Sequence, residues 1–327
     1  MKIEEATDIV TILANGVNPL TGEAFPSDSP YQHPQVIRAL FTVLKSAPQQ
    51  KNTKQQLPQV APQKVSNKSN FDYGRVFELT EKTLIQYGAK HESKAKIVQN
   101  LSEFKEFETR ELTDEDYYEK IVFVIFYSGF RAATVTAKRD IIRSHFPSIN
   151  QVAKYSKKDI NRILSDSNMI RHKKKIEACV KNAKVFEALI DKHGSIESYI
   201  NSYNPRESFE NTLNLKNDLL SKLEFIGPTT IFHILTDIGL QVIKPDRVLC
   251  RIFHRLGLIK SENDLLECVL QGREFAKHTN IPIRYVDIIF VAYGQERSIE
   301  FGIDKGICLK NPRCEHCGIV NYCNYKR

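Results

Sequence analysis

The sequence predicts an all-α fold, and two patterns in it lead to this prediction. Apolar residues recur at helical spacing through most of residues 71–327. Strand patterns do not alternate regularly with helices, as a doubly wound parallel sheet requires, and no internal repeat is found. An apolar share of 41% and a charged share of 26% are typical of a globular protein and exclude collagen-like, coiled-coil and wholly disordered chains.

The predicted helices beyond residue 70 follow this spacing in order. Residues 121–127 are apolar on all sides and rich in β-branched side chains, which by themselves favour a strand. The sequences on both flanks continue a helical pattern, so a helix is predicted here. The other helical patterns cover about 76–87, 158–165, 171–192, 195–202, 214–223, 228–238, 246–256, 262–272 and 284–296.

Four segments are predicted along the chain. Residues 1–45 contain two short helical patterns around a turn-rich stretch and form a small helical unit with no assigned role. Residues 46–70 hold three prolines, six glutamines, four lysines and no acidic residue, so they are predicted to be a disordered basic linker. Residues 71–304 form the main helical domain, and residues 305–327 form a cysteine-rich loop.

The charge of the chain favours an anionic partner. Lys and Arg number 47 against 39 Asp and Glu, which gives a net charge of +8, and nucleic acid is the commonest partner of a soluble basic protein. No apolar run approaches the ~20 residues that span a bilayer, and no secretory signal is visible at the first residues. We therefore expect an intracellular protein, in the cytoplasm or nucleoid if the source is prokaryotic, that acts as a monomer without a membrane.

Four cysteines near the end of the chain form a candidate metal site. Their spacing is C-x5-C-x2-C-x5-C, and four soft thiolates this close in sequence can converge on one metal centre. Zinc is usually held by two Cys-x-x-Cys pairs, and only one is present, so an iron–sulfur cubane fits better, with zinc as the alternative. The remaining three cysteines lie in apolar patterns and are predicted to pack in the core. The ligand candidates are Cys308, Cys314, Cys317 and Cys323.

Two further features lie upstream of the cysteines. An Ile-Gly-Pro turn at Gly227 joins two helical patterns, and such a hairpin can direct backbone N–H groups at a phosphate. Helical hairpins are also common in proteins that bind no nucleic acid. Asp246 directly precedes an apolar helical stripe, where it fits either an N-cap or an ionised carboxylate that stabilises a cationic transition state.

In this order, the hairpin, the aspartate and the four-cysteine tail resemble the helix-hairpin-helix DNA glycosylases of the endonuclease III type, over roughly residues 115–327. A second resemblance, over about 120–246, is to 3-methyladenine DNA glycosylase I. It is carried by the sequences Phe126-Tyr-Ser-Gly-Phe-Arg, Met169-Ile-Arg-His-Lys-Lys-Lys-Ile and Phe225-Ile-Gly-Pro-Thr-Thr-Ile. Both families belong to one helical superfamily, so the resemblance implies its fold of two helical subdomains, and double-stranded DNA as the partner.

The resemblance also implies roles for particular residues. Asp246 matches the catalytic aspartate, and the four tail cysteines match the ligands of a [4Fe-4S] cluster, although their first interval is one residue shorter than usual. Phe225 stands where the hairpin usually has its first glycine. The residues expected to contact DNA are, in the hairpin, Ile226, Gly227, Thr229 and Thr230, and, in a basic run that begins a helix, Arg171, Lys173 and Lys174.

Two departures from the family patterns bear on mechanism and substrate. Thr229 stands where strand-nicking glycosylases carry the lysine that forms a Schiff base, so a monofunctional enzyme with water as nucleophile is predicted. Val124 and Ala132 replace the glutamate and tryptophan that read methyladenine, so that specificity does not transfer. The candidates for a base pocket or a DNA wedge are Tyr127, Phe130 and Arg131.

The leading interpretation is a base-excision repair enzyme, a hydrolase that removes a damaged, mispaired or modified base from DNA. A non-catalytic lesion sensor on the same scaffold and a bifunctional glycosylase/lyase are the alternatives. A zinc-stabilised protein-interaction module that uses the hairpin only as structure is a third. The same residues would serve defence against foreign DNA.

Overall fold

The computed structural model describes residues 3–14, 19, 25, 29–32, 34–46, 71–106, 111–130 and 132–325. The chain divides into two compact units, Met1–Arg75 and Val76–Arg327. Apart from its first residue, the predicted linker over 46–70 lies outside the described residues.

The first unit contains the two helices predicted for it. Helix α1 spans Ile3–Ala14 and helix α2 spans Pro34–Ser46, and the two contact each other. A short 3-10 turn at Pro30–Gln32 precedes α2, and Tyr31 in it stacks on Phe25 with ring centroids 4.8 Å apart. Proline at the start of α2 suits a helix because the missing N–H has no intrahelical partner there.

Helices make up the regular structure of the remaining described residues, which contain no β-strand and only an isolated bridge between Ser298 and Ile303. This confirms the predicted all-α class. None of the described helices has both the length and the apolar character needed to cross a bilayer. The helices are α3 Tyr73–Gly88, α4 Lys94–Ser102, α5 Asp114–Tyr127, α6 Ala132–Thr136, α7 Arg139–His145, α8 Ile149–Ala153, α9 Lys157–Ser165, α10 Lys173–His193, α11 Ile196–Asn201, α12 Phe209–Lys222, α13 Pro228–Asp237, α14 Arg247–Arg255, α15 Leu265–Thr279 and α16 Ile283–Gly294.

Helix α5 settles the ambiguous apolar segment at 121–127 as a helix. Thr113 caps its start, because the Thr113 hydroxyl accepts from the Asp116 N–H while the Asp116 carboxylate accepts from the Thr113 N–H. Every residue from Ile121 to Phe126 is buried, so tertiary packing on all sides outweighs the strand preference of its β-branched residues.

Two groups of helices frame the candidate site. Helix α10 contacts α5, α8, α9 and α11, and α13 contacts both α5 and α12. Helices α14, α15 and α16 pack on one another around Phe253, Phe275 and Phe290, whose ring centroids lie 4.8–5.4 Å apart. The first group ends in the hairpin between α12 and α13, and the second begins at Asp246, so one short loop connects the two candidate features.

Candidate functional site

Asp246 is the N-cap of α14. Its Oδ1 accepts from the N–H groups of Val248 at 2.8 Å and Leu249 at 3.1 Å, and the residue is partly exposed. Both capping bonds end on Oδ1, so Oδ2 takes no part in capping. The carboxylate therefore lies at the positive end of the α14 dipole with one oxygen left for another partner.

A buried ion pair supports the loop that leads to Asp246. The Asp287 carboxylate, 1% exposed, accepts from the backbone N–H of Lys244 at 3.3 Å and pairs with Arg284. Burial raises the pKa of Asp287 to about 6 despite this pairing, and the nearby charge of Asp246 acts in the same direction. Arg284 also lies 3.8 Å from Asp237 at the end of α13, so the network connects the hairpin helix with the Asp246 loop.

The predicted hairpin is present, and its turn has an unexpected backbone. Helix α12 ends at Lys222 and α13 begins at Pro228. Phe225 adopts the left-handed region with φ +62°, whereas Gly227 is extended with φ −116°. The position at which the sequence resemblance implies the first glycine of the hairpin is thus left-handed, and a phenylalanine occupies it.

The groups at the tip of the hairpin suit backbone contacts. The Thr230 hydroxyl accepts from the Gly227 N–H at 2.7 Å and fixes the start of α13. The first N–H groups of a helix lack intrahelical partners, and Thr229 and Thr230 are partly exposed. The Ile226 side chain is buried, 2% exposed, so this residue offers only its backbone to a ligand.

The candidates for the base pocket differ in their surroundings. Phe130 is 37% exposed at the end of the loop after α5. Tyr127 is partly buried, and its hydroxyl lies 3.2 Å from that of Thr136. Arg131 lies outside the described residues. Val124 is fully buried inside α5, so no polar group reads a base from that position.

The start of α10 carries three exposed cations, Arg171, Lys173 and Lys174, here called the basic surface. His172 is the N-cap, and its Nδ1 accepts from the Lys175 N–H at 3.3 Å. Of the three cations, Lys173 lies 3.9 Å from Glu177, a weak exposed pair. The predicted charge run is therefore a solvated helix end that is free to approach an anion.

Lys175 is a feature of this region that the sequence pattern missed. Its side chain is 2% exposed, although it ends a run of cations. Its Nζ lies 4.6 Å from the ring centroid of Phe225 and 5.4 Å from that of Phe130. The His172 ring contacts the same two rings edge-on, at 5.9 Å and 6.3 Å. The one available signal was that Lys175 precedes the apolar positions Ile176 and Cys179 on the buried face of α10.

The four tail cysteines line one small cavity together with Arg255 and Tyr325. Arg255 Nη1 donates to Cys308 Sγ at 3.3 Å, and the Tyr293 hydroxyl donates to Cys317 Sγ at 3.3 Å. Burial raises the pKa of the Cys308 and Cys317 thiols. Within the described ranges, no three His, Cys, Asp or Glu side chains are grouped closely enough to hold one metal ion.

Comparison with known proteins finds sequence similarity over part of the chain. Residues 102–250, which include the hairpin and Asp246, match the family model described as methyladenine glycosylase. A DNA-3-methyladenine glycosylase from Haemophilus influenzae is 34% identical over 84 residues, which are 25% of this chain and 45% of the relative. The chain thus spans less than half the length of the curated relative that it matches.

Solved structures with similar helical folds include two glycosylases. The 8-oxoguanine glycosylase/lyase from Methanocaldococcus jannaschii, solved with DNA that contains 8-oxoguanine, shares 18% identity with a TM-score of 0.44, over 67% of this chain and 96% of that one. The 3-methyladenine DNA glycosylase I from Staphylococcus aureus shares 20% identity with a TM-score of 0.36, over 44% and 85%. These values are too low to bear on function.

Residues 102–250 of the chain are thus similar in sequence to the methyladenine glycosylases. The predicted resemblance to 3-methyladenine DNA glycosylase I, over about residues 120–246, is confirmed by this match. The cysteine tail lies beyond the matched residues.

Proposed function

We propose that the protein is a monofunctional DNA glycosylase that hydrolyses the N-glycosidic bond of a base flipped out of the duplex. The observation that carries this proposal is the position of Asp246, a partly exposed carboxylate at a helix N-terminus that follows the hairpin within the family-matched residues. The rival function, a lesion sensor without catalysis, needs this side chain only as the N-cap of α14.

Asp246 would act on the sugar of the flipped nucleotide. Departure of the base leaves positive charge on the sugar, and a carboxylate held by fixed donors stabilises that charge without reorganising. Oδ1 is held by the Val248 and Leu249 N–H groups, so Oδ2 faces the sugar and orients or deprotonates the attacking water. The leaving base takes the electron pair of the broken glycosidic bond, and the oxygen of the water forms the new C–O bond to the sugar.

The hairpin and the basic surface would hold the DNA backbone. The N–H groups of Thr229 and Thr230 and the positive end of the α13 dipole suit a phosphate in DNA of any sequence, while the Gly227 N–H is bonded to the Thr230 hydroxyl. The basic surface adds three exposed positive charges on the neighbouring helix α10. Both contacts are independent of base identity, as a search for rare lesions requires.

The absence of a lysine at position 229 supports hydrolysis rather than strand cleavage. A Schiff base requires an amine that can reach C1′ of the sugar, and Thr229 offers a hydroxyl. Lys175, on the other side of the hairpin, donates to backbone carbonyls and is not free to attack.

Phe130, with Tyr127 and Arg131, is proposed to fill the gap left by the flipped base or to stack on it. An exposed aromatic ring beside the hairpin suits a wedge, since apolar side chains stabilise a kinked, unstacked duplex. A buried valine stands at position 124 in place of the glutamate that reads methyladenine, so the substrate is another damaged, mispaired or modified base.

Cys308, Cys314, Cys317 and Cys323 are proposed to hold a [4Fe-4S] cluster, with zinc as the alternative. All four line one cavity, and two of the sulfurs accept hydrogen bonds of the kind that stabilise metal-bound thiolates. Zinc is usually held by two Cys-x-x-Cys pairs, and the tail has only one, which favours a cubane. Such a cluster would supply a fixed tail conformation and needs no redox step.

The test is mass spectrometry of bases released from DNA that carries a panel of lesions and mismatches. Asp246→Asn is the informative variant because asparagine is an equally good N-cap, so the fold is retained. Wild type should release one base class and leave sites that nick only after alkali, while Asp246→Asn binds the same DNA and releases nothing. Asp140→Asn, an exposed carboxylate on α7, is the matched control and should behave as wild type. Full activity of Asp246→Asn, or no release by wild type with intact binding, would contradict the proposal.

A further inference from the structure

We propose that Lys175 is a positioning residue that holds two DNA-facing segments in one fixed arrangement, the loop that carries Phe130 and the hairpin turn at Phe225. What these segments do on DNA rests on the proposed function. The contacts that join them are properties of the free protein and do not depend on any activity.

One side of the Lys175 ammonium contacts the end of α5. Its Nζ donates to the carbonyl oxygen of Ile125 and, at 2.6 Å, to that of Ser128. The last carbonyls of a helix lack intrahelical partners, and positive charge is favoured at this end of the helix dipole. Lys175 therefore fixes how α5 ends and in which direction the loop to Phe130 departs.

The other side of the ammonium contacts aromatic rings from two segments. Its Nζ lies 4.6 Å from the Phe225 centroid and 5.4 Å from the Phe130 centroid, distances at which a cation is attracted to a ring face. The His172 ring meets both phenylalanines edge-on. The loop and the hairpin turn, which are far apart in sequence, are thus joined through one buried charge and one imidazole.

The backbone of the hairpin turn explains why a phenylalanine stands at position 225. A residue with a Cβ is disfavoured at the left-handed φ of +62°, so contacts must hold it there. The Asn182 amide binds both backbone groups of Glu224, and the Phe225 ring receives the Lys175 ammonium. A glycine would relieve the backbone and lose the connection to α5.

The charge of Lys175 titrates at accessible pH. Within the described structure no carboxylate forms an ion pair with it, and burial lowers its pKa to about 8. The titratable groups near it are Cys179 on its own helix, whose burial raises the thiol pKa, and the imidazole of His172. The ammonium is intact at neutral pH, and the contact to Phe225 weakens as the pH rises through about 8.

A tryptophan reporter tests this connection in the free protein. The chain contains no tryptophan, so Phe225→Trp provides a single indole at the ring that faces Lys175. Its fluorescence should change with a midpoint near pH 8, and this transition should vanish when Lys175→Met is added. Lys175→Arg should also remove it, because guanidinium keeps its charge. A transition that persists with Lys175→Met, or none in the reporter itself, contradicts the proposal.

Measurements of base release and of DNA binding then distinguish a positioning role of Lys175 from a general effect on stability. Lys175→Met should slow single-turnover base release about 10–100-fold, the scale of a small misplacement of reacting groups. Its affinity for undamaged duplex should change less than about twofold, since the basic surface remains and Asn182 still holds the backbone of Glu224 in the hairpin turn. Lys175→Arg should restore most of the rate. The rate of base release by wild type should fall as the pH rises above 8, when Lys175 loses its charge, and that of Lys175→Arg should not.

The matched control is Lys216→Met. Lys216, on α12, is partly exposed; burial lowers its pKa to about 8, and its Nζ lies 5.5 Å from the ring centroid of Phe232. If Lys216→Met slows base release as much as Lys175→Met, the effect is one of stability and the proposal is wrong. If wild type releases no base, the proposed function fails, while the fluorescence titration still decides the role of Lys175.

Discussion

The side chain of Asn182 on α10 pairs with both backbone groups of Glu224 in the hairpin turn. Asn182 Oδ1 accepts from the Glu224 N–H at 2.7 Å, and Nδ2 donates to the Glu224 carbonyl at 3.1 Å. The Asn182 amide is fully buried. It supplies hydrogen-bond partners to the N–H and carbonyl groups of Glu224, which lie in the turn between α12 and α13. The hairpin that is proposed to hold DNA is thereby anchored to the longest described helix.

Asn182→Ala should destabilise the protein and loosen the hairpin. It removes the Asn182 partner of two part-buried backbone groups, which costs about 2–4 kcal/mol of unfolding free energy, from about 1–3 kcal/mol for each group less the part recovered by water. Urea unfolding measures this loss, and duplex affinity at fixed salt should fall in parallel. Asn161→Ala on the exposed side of α9 is the control. Unchanged stability would show that the turn does not need the amide.

Neutralising Lys173 and Lys174 together to glutamine should flatten the salt dependence of DNA binding. Each phosphate contact contributes about 0.9 to the slope of log affinity against log salt, so the slope should fall by about 1.8. Equilibrium binding over a salt series measures it. The matched control neutralises Lys157 and Lys158, two exposed cations at the start of α9. Equal slopes for wild type and both double variants would mean that the basic surface is a solvated helix end that contacts no phosphate.

Thr229→Lys should convert the enzyme into one that forms a Schiff base. Position 229 lies in the first turn of α13 and is partly exposed, and the sequence resemblance implies that strand-nicking glycosylases carry their amine here. Borohydride trapping on DNA with an abasic site should yield a covalent complex for the variant and none for wild type. Adding Asp246→Asn to Thr229→Lys tests whether Asp246 assists the formation of the Schiff base. Trapping of wild type itself would establish the bifunctional alternative.

Replacement of Cys317 by serine should remove the proposed metal centre. Purified wild type should contain iron and inorganic sulfide and be coloured, and Cys317→Ser should lose both, because a cubane needs all four thiolates. Iron and sulfide assays, together with zinc analysis, measure the content. Cys268→Ala, a fully buried cysteine outside the tail, should keep its iron. Zinc in place of iron in wild type would support the alternative occupant.

The stability of the protein should depend on the ionisation of Asp287. Its folded pKa of about 6 lies above the ~3.9 of an unfolded aspartate, so the folded state binds the extra proton. The stabilising effect of protonation is complete below about pH 4 and is lost as the pH rises through about 6. The unfolding free energy of wild type minus that of Asp287→Asn should therefore fall by up to about 3 kcal/mol over this range. A difference independent of pH would mean that Arg284 keeps Asp287 ionised throughout.

Local patterns determined most of the helices from the sequence. The apolar spacing predicted α9 to α16 to within a few residues at most ends, since an amphipathic face and its caps are encoded within each helix. The hairpin, the N-terminal position of Asp246 and the grouping of the tail cysteines were also visible, because each depends on neighbours in the chain.

The tertiary structure decided which side chains meet. The run from Arg171 to Lys175 predicts a solvated helix end, and this is correct for its exposed members. Lys175 is buried only because α5 ends beside it with unpaired carbonyls and because the Phe225 ring closes the other side. These partners lie on three separate segments, and no periodicity within one segment can encode a contact between them. Sequence thus determined the helices and the position of Asp246 at the start of α14, while packing between helices decided which lysine is removed from water.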